Sequence, residues 1–408
     1  MSVSTLELTA HDPIIARDGR PFGLGQGNRM RGLSWPLPSV VAGSLRSALV
    51  KASPNLDFTR ATPVELLRVE VAGIFPCSGG QLYLPAPNDC VWEENSGTVF
   101  RVGPVPLQEG EGADFPVPDL SPVQLTTDQA RDDFKVKAVP AWWPLNKYEQ
   151  WLTMADAELP ATWFDAMFLD AAKRDIRDHI CLNAETGTAA EGLIFATEGL
   201  TLTHLPRFGS RDSQPSSKRF AEITLSVRVT SAEKVSAYVD QLNIWSPLGG
   251  ERRLVHWQRS DQLRLWKCPD AVRTVLERAT RIRMVLASPA IFDHGWLPAW
   301  LDSRSLQGRP LGDGPTLKLV GACISRWRAV SGWAYAPHSE LNGRRRVVPE
   351  DSPGPKAIRR MVPAGGVYFF EKVDGDARVL ASNGWLKPVS DAPHDRRDGF
   401  GLAVWGIW

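Results

Sequence analysis

Eight consecutive residues, Ser246-Pro-Leu-Gly-Gly-Glu-Arg-Arg253, set two glycines directly against an acid and two arginines. Glycine lacks a Cβ, so Gly249 and Gly250 allow a tight turn and a close approach by another chain. The planar, forked donors of Arg252 and Arg253 match phosphate oxygens, and Glu251 stands where it can hold one of them. A second segment, Pro363-Ala-Gly-Gly-Val-Tyr-Phe-Phe370, places Gly365 and Gly366 just after Lys356, Arg359 and Arg360. A third, Arg396-Arg-Asp-Gly-Phe-Gly-Leu-Ala-Val-Trp405, lies near the C-terminus. Each turn adjoins a β-like run and basic residues, which fits contact with a nucleic-acid backbone. Any one of them is also ordinary turn chemistry.

Other basic residues extend the set. Arg17 and Arg20 flank Asp18-Gly19, and Phe22 follows. Arg46 and Lys51 lie off the apolar face of a helix expected after Pro38-Ser39, and a helix N-terminus favours phosphate. Arg344-Arg-Arg346 reads as a charged loop. Cleavage of RNA through its 2′-OH needs a base that titrates near neutrality. His11 and His179 are the histidines beside these loops, and His179, in a strand-like run, suits a hydrogen bond within the fold. The chain has no helical His pair, no G-x-S-x-G and no P-loop, so no catalytic residue is assigned. A tryptophan platform for sugars is a further class, with Trp142, Trp143, Trp296 and Trp300 as its candidates. Tryptophan serves equally in cores and interfaces, and Trp405 and Trp408 are read as a docking face for partner chains. Salt separates the classes, because RNA affinity falls steeply with it.

Composition narrows the choice. At 43% hydrophobic and 23% charged over 408 residues, the chain is expected to fold as two domains or more. The net charge of +1 excludes a polycation, so a nucleic-acid surface must be a local patch balanced by acid elsewhere. Of the 47 basic residues 35 are arginine, the type preferred for phosphate, although a GC-rich genome gives the same bias. Five dispersed cysteines without a C-x-x-C pair argue against zinc and against a disulfide framework. No signal-like or membrane-spanning run is present, and no cofactor is called for. The expected compartment is cytoplasmic.

The elements that position these residues follow from patterning. Thr5 to Ala10 alternates as a strand. Ser39 is the expected N-cap of a helix with Val40, Val41, Ser44, Leu45, Ala48 and Leu49 on one face. Leu66 to Ile74 and Gln81 to Leu84 read as strands. Strand, helix, strand, strand is the first half of a ferredoxin-like βαββαβ unit. Residues 88–175 break the rhythm as an insertion, with a helix expected around Ala161 to Arg177. Two strands flank the Glu185-Thr-Gly187 turn. Phe220 to Val229 is a strand, Ser231 is expected to cap a helix reaching about Leu242, and Ser246 to Trp257 closes the unit near residue 260. A helix near Asp270 to Thr280 precedes a second unit, with strands at Arg281–Ala287, Thr316–Ile324, Gly366–Lys372 and Gly401–Trp408. The expected fold is α+β, two ferredoxin-like domains spanning 1–260 and 261–408.

In order along the chain, a set of motifs resembles a known family. They are Ala16-Arg-Asp-Gly-Arg-Pro-Phe-Gly23, Leu37-Pro-Ser-Val-Val-Ala-Gly-Ser-Leu-Arg46, and Arg177-Asp-His-Ile180 with Thr186-Gly-Thr-Ala-Ala-Glu-Gly192. Leu248-Gly-Gly-Glu-Arg-Arg253, Leu286-Ala-Ser-Pro-Ala-Ile-Phe292, Val330-Ser-Gly-Trp333, Lys356-Ala357 and Pro363-Ala-Gly-Gly-Val-Tyr-Phe369 complete it. Together they resemble the RAMP proteins that form the third subunit of type III-B CRISPR (Cmr) complexes. The resemblance implies two ferredoxin-like domains around a cleft that binds the 5′ handle of a CRISPR RNA. It implies docking on the large polymerase-like subunit and on the adjacent RAMP backbone subunit, with no nuclease role and no membrane partner. The family's glycine-rich C-terminal signature is reduced here to Gly399-Phe-Gly401.

Overall fold

The computed structural model describes residues 1–18, 29–53, 62–115, 117, 119–125, 134–154, 158–209, 219–334 and 354–408. Strand β1 (Ser2–Ala10) leads through helices α1 (Pro38–Ala52) and α2 (Thr62–Leu67) to β2 (Glu70–Ser78) and β3 (Gln81–Pro85). Strands β4 (Cys90–Glu93), β5 (Val99–Pro104) and β6 (Trp142–Pro144) and helix α3 (Leu145–Thr153) follow. Next come the hairpin β7 (Lys173–Leu182) and β8 (Ala189–Thr201), then β9 (Thr224–Ser231), α4 (Glu233–Asp240), β10 (Asn243–Pro247), β11 (Leu254–Ser260) and α5 (Asp270–Glu277). The remainder holds β12 (Arg281–Leu286), β13 (Thr316–Cys323), β14 (Arg328–Val330) and β15 (Arg359–Met361). It ends with β16 (Val367–Asp374), α6 (Arg378–Ser382), α7 (Pro393–Asp398) and β17 (Leu402–Ile407).

Two large antiparallel sheets result. The first runs β10-β11-β1-β9-β2-β3-β6, and the second centres on β13-β16-β12-β17. Both centres share one order when strands are counted along the chain: fourth, first, third, second. In the first sheet α1 links the first and second of these strands, and α4 lies between the third and fourth. In the second sheet α6 and α7 lie between the third and fourth. No helix joins its first and second; residues 287–315 hold turns, isolated bridges and a two-residue strand.

The helical face of the first sheet follows the period-2 rule. Leu6, Leu8 and Ala10 of β1 are buried, as are Val41, Ala42, Leu45, Ala48 and Leu49 of α1 at helical spacing. Burying each such Leu or Val contributes about 1.5–3 kcal/mol. Leu6 lies opposite Val227, so a slip of one residue would turn the half-buried Glu7 toward the core.

Four local expectations are corrected. Helix α1 begins at Pro38 with Leu37 at its N-cap and no side-chain cap, not at Ser39; proline at the first helical position already fits, because its missing N–H has no partner to lose. Leu66 belongs to α2, and the strand begins at Glu70. Ser231 ends β9, and Ala232 occupies the N-cap of α4. The helix expected around 161–177 is a single 3-10 turn at Ala161–Trp163, and β7 starts at Lys173.

The segment read as an insertion carries its own small sheet and an aromatic core. Trp143 is fully buried and meets Tyr148, Trp151, Trp163, Phe164 and Phe168 at 5.0–5.9 Å between ring centroids. This burial removes Trp142 and Trp143 from any sugar platform. The segment also braces the second sheet. The Asn88 amide donates to Gly365 O (2.8 Å), and the Ser121 amide donates to Val320 O (2.8 Å). Arg283 of β12 and Asp89 form a fully buried ion pair, and Trp151 Nε1 donates to the same carboxylate at 3.0 Å. All five cysteines are free, and burial pushes the Cys77 and Cys323 thiols up to about 11.

Candidate nucleic-acid interface

Three of the sequence motifs converge on one open cleft of about 380 Å³. Its walls are Ile15, Ala16 and Arg17 from the first motif, Val40, Gly43, Ser44 and Ser47 from α1, and Pro247, Gly249 and Gly250 from the Gly-Gly turn. The turn is pinned from within: the Gly250 amide donates to Ile15 O at 2.8 Å. At Gly249 (φ 76°) a Cβ would lie 2.3 Å from Ile15 O, so only glycine fits. Gly249 and Gly250 therefore let two parts of this chain meet and so form the cleft wall. Ser44 Oγ donates to Pro247 O (2.7 Å), which ties α1 to the same edge.

Gly43 behaves differently. It lies mid-helix, is exposed in the cleft, and a Cβ there would meet no atom within 4 Å. A glycine in a helix interior costs about 1 kcal/mol relative to alanine. Packing does not require it, and it leaves the helix backbone open to a close-approaching ligand.

The rim is cationic. Residues 16–18 pair with residues 31–33 as a ribbon: the Leu33 amide donates to Ala16 O (2.6 Å) and the Asp18 amide to Arg31 O (3.2 Å). Arg17 and Arg31 are exposed on it and Arg29 just before it, and none has an ion-pair partner among the described residues. Arg29 and Arg31 were missed in the sequence, although Gly27 and Gly32 stand close by; the ribbon pairing sets Arg31 beside Arg17, and Arg29 bridges Ala196 of β8. Arg20 lies outside the described residues, as do Arg344–Arg346.

At the Gly-Gly turn the two arginines part company. Arg253 sits 3.4 Å from Glu251. It also faces Asp12, whose carboxyl the Leu254 amide (3.1 Å) holds below the usual range; His11 and Arg253 act in the same direction against slight burial. Arg253 is thus paired with Glu251. Arg252 is exposed and has no ion-pair partner among the described residues. Glu251 (φ 53°) and Arg252 (φ 52°) both hold left-handed backbone, a conformation that costs non-glycine residues of order 1–3 kcal/mol each.

Two neighbours border the cleft. The β7–β8 hairpin is rooted on the first motif through Ile14, which exchanges 2.8 Å hydrogen bonds with Leu200, and through Met30, whose amide donates to Ala196 O. Ile176, Ile180, Leu182 and Ile194 are exposed on it, and His179 stacks on Phe195 (4.9 Å, 15°) while bonding Thr197 Oγ1. Past the turn, half-exposed Trp245 meets His11 edge-on (5.5 Å) and His256 (4.8 Å). The alternation of β10 was the available signal for Trp245.

Several expected contacts are corrected. Arg46 is buried and paired with Asp398 at 2.6 Å, and its second nitrogen donates to Val69 O. Arg359 forms a two-pronged pair with Asp395 at 2.5 and 2.8 Å. Both carboxylates come from α7, one turn apart. Gly365 and Gly366 are buried; a Cβ at Gly365 would meet Ala86 O at 2.4 Å and Asn88 Oδ1 at 3.1 Å, so Gly365 serves the junction with the start of the inserted segment, and Gly366 packs against Leu286, Ile324 and Val362. Trp405 is fully buried with its Nε1 on Gly384 O, which removes it from any partner face. Trp408 is half-buried and donates to Ile282 O and Phe370 O. Gly399 packs against Val71 of the first sheet, so the C-terminal glycine turn joins the two sheets. Lys51 is exposed at the end of α1, and Lys356 and Arg360 lie on the β14–β15 arm, away from the cleft lining.

Fold and rim together describe an α+β scaffold of antiparallel sheets with a cationic cleft built from separated motifs. The chain belongs to the CRISPR-associated protein (Cas_Cmr3) family, whose family model matches residues 6–408, and so is a type III CRISPR effector subunit. Among solved structures it is similar to a chain of the type III-B Cmr-beta complex bound to cognate target RNA, at 12% identity and TM-score 0.44, covering 90% of this chain and 86% of that one. A chain of the Csm3-Csm4 subcomplex of the type III-A interference complex matches at 8% identity and TM-score 0.35, covering 91% and 94%. No curated protein sequence matches the chain.

Proposed function

We propose that this chain is a non-catalytic subunit of a type III-B CRISPR ribonucleoprotein, located in the cytoplasm. In this reading its cleft caps the 5′ handle of the CRISPR RNA, and other faces dock onto the large polymerase-like subunit and the adjacent RAMP backbone subunit. The two sheets of shared strand order are then two ferredoxin-like domains, 1–260 and 261–408. The observation that carries the reading is the cleft itself, where the open helix glycine Gly43 shares the lining with Arg17, an arginine that has no ion-pair partner among the described residues. A handle is single-stranded, and such RNA is held by backbone contacts and stacking. Arg17, Arg29, Arg31 and Arg252 supply the first. Trp245 and the His179–Phe195 pair supply aromatic surface for the second. The solved structures that the chain resembles are described as bound to target RNA or as subunit complexes, which is consistent with RNA and protein partners.

The test uses the heterodimer of this chain with the large subunit, co-expressed, and guide RNA with and without its 5′ handle across a salt series. Binding is expected to depend on the handle. The slope of log affinity against log salt should fall by about 0.7 for each phosphate contact removed, so Arg17→Ala/Arg252→Ala lowers it by about 1.4. Binding indifferent to the handle and to these arginines would reduce the chain to a structural plug.

A further inference from the structure

Strands β14 and β15 form the foot of an arm. Arg328 lies opposite Met361, Ala329 opposite Arg360, and Val330 opposite Arg359. Farther out, Trp333–Ala334 pairs with Gly354–Pro355, and the Lys356 amide donates to Gly332 O at 2.7 Å. Strand alternation gives the foot two faces. Val330 and Met361 are buried on one face, against Ile291, Phe400 and Leu37, and Arg359 is locked to Asp395. The arm is therefore firmly seated on the body.

Its other face combines exposed apolar and basic side chains. Ala329 and Arg360 are exposed there, and the Arg360 guanidinium lies 5.1 Å from the centre of the Trp327 ring. Trp327 is 49% exposed, Trp333 65% and Ile358 76%. Apolar groups this large cluster on a surface when they have a partner. Residues 325–334 and 354–361 hold no Asp or Glu, while Arg326, Arg328, Lys356 and Arg360 have no ion-pair partner among the described residues. We propose that this arm is a docking surface for another protein subunit of the effector complex, one presenting an apolar centre rimmed by carboxylates. Charge complementarity sets the rim, and the exposed Trp and Ile set the centre. Two features favour protein over RNA. Arg360 already covers one face of the Trp327 ring, and Ile358, a branched aliphatic side chain, offers a base no stacking surface. This surface is distinct from the cleft assigned to RNA.

The test uses the complete effector complex, assembled by co-expression with guide RNA, with a benzophenone amino acid at position 358. The expected result is a cross-link to a protein subunit that survives ribonuclease. In parallel, Ile358→Asp should weaken incorporation of this chain by roughly 30-fold or more, the size of a single hot-spot loss. Its melting temperature should be unchanged, because residue 358 is exposed, and Ile358→Leu should restore incorporation. A ribonuclease-sensitive cross-link, no cross-link, or undiminished incorporation of Ile358→Asp overturns the proposal. None of these outcomes bears on handle binding, which the cleft variants test separately.

Discussion

Arg252 and Arg253 are adjacent in sequence and differ in physical state. Arg253 is half-buried and pairs with Glu251 at 3.4 Å, so its charge is already answered. Arg252 is exposed with no ion-pair partner among the described residues, on left-handed backbone. Arg252→Ala should therefore weaken handle binding more than Arg253→Ala, by several-fold, in the same titration; equal losses would contradict the assignment. The residues of this site were partly legible. Arginine beside a glycine turn pointed to Arg17 and to the Gly249 turn, and both line or border the cleft. The same rule misled at Arg46 and Arg359, because the carboxylates that take them stand far along the chain. Arg46 and Asp398 are 352 residues apart, and no local pattern reports such a pair.

Among elements, α7 does more than its six residues suggest. Asp395 holds the β14–β15 arm and Asp398 holds α1, so one short helix ties the arm to the helix that covers the first sheet. Gly399, at φ 92°, ends the helix where a Cβ would sit 2.4 Å from Val71 O. Removing one partner of a buried pair leaves the other charge uncompensated, at a cost of about 3–5 kcal/mol. Asp398→Ala should lower stability by that amount in chemical denaturation, and Arg46→Met/Asp398→Leu should recover much of it. A loss below about 1 kcal/mol for Asp398→Ala would show that the pair does not tie α1 to the C-terminal helix. Strands with one buried face, such as β1, were legible through alternation. The stretch 161–177 was not, since β7 buries neither face, and its Ile176, Ile180 and Leu182 stand exposed with no core contact to mark where the strand begins.

On the scale of the whole molecule, a net charge of +1 is compatible with RNA binding because the charge is unevenly placed. Acid is spent on internal pairs such as Asp398–Arg46 and Asp395–Arg359, whereas the cleft rim and the arm keep arginines without such partners. The repeated strand order of the two sheets was visible in outline from the βαββαβ rhythm. The missing crossover helix of the second sheet was not, because the turns of 287–315 leave no periodic signature. Gly43 tests the central claim most directly, since its Cβ position is empty and points into the cleft. The measurement is the affinity of the heterodimer with the large subunit for handle-bearing guide RNA, in wild type, Gly43→Ala and Gly43→Glu. Gly43→Ala should fold with up to about 1 kcal/mol of added stability. Gly43→Glu should remain folded and lose handle-dependent binding. A folded Gly43→Glu protein that binds handle RNA like wild type would contradict the account.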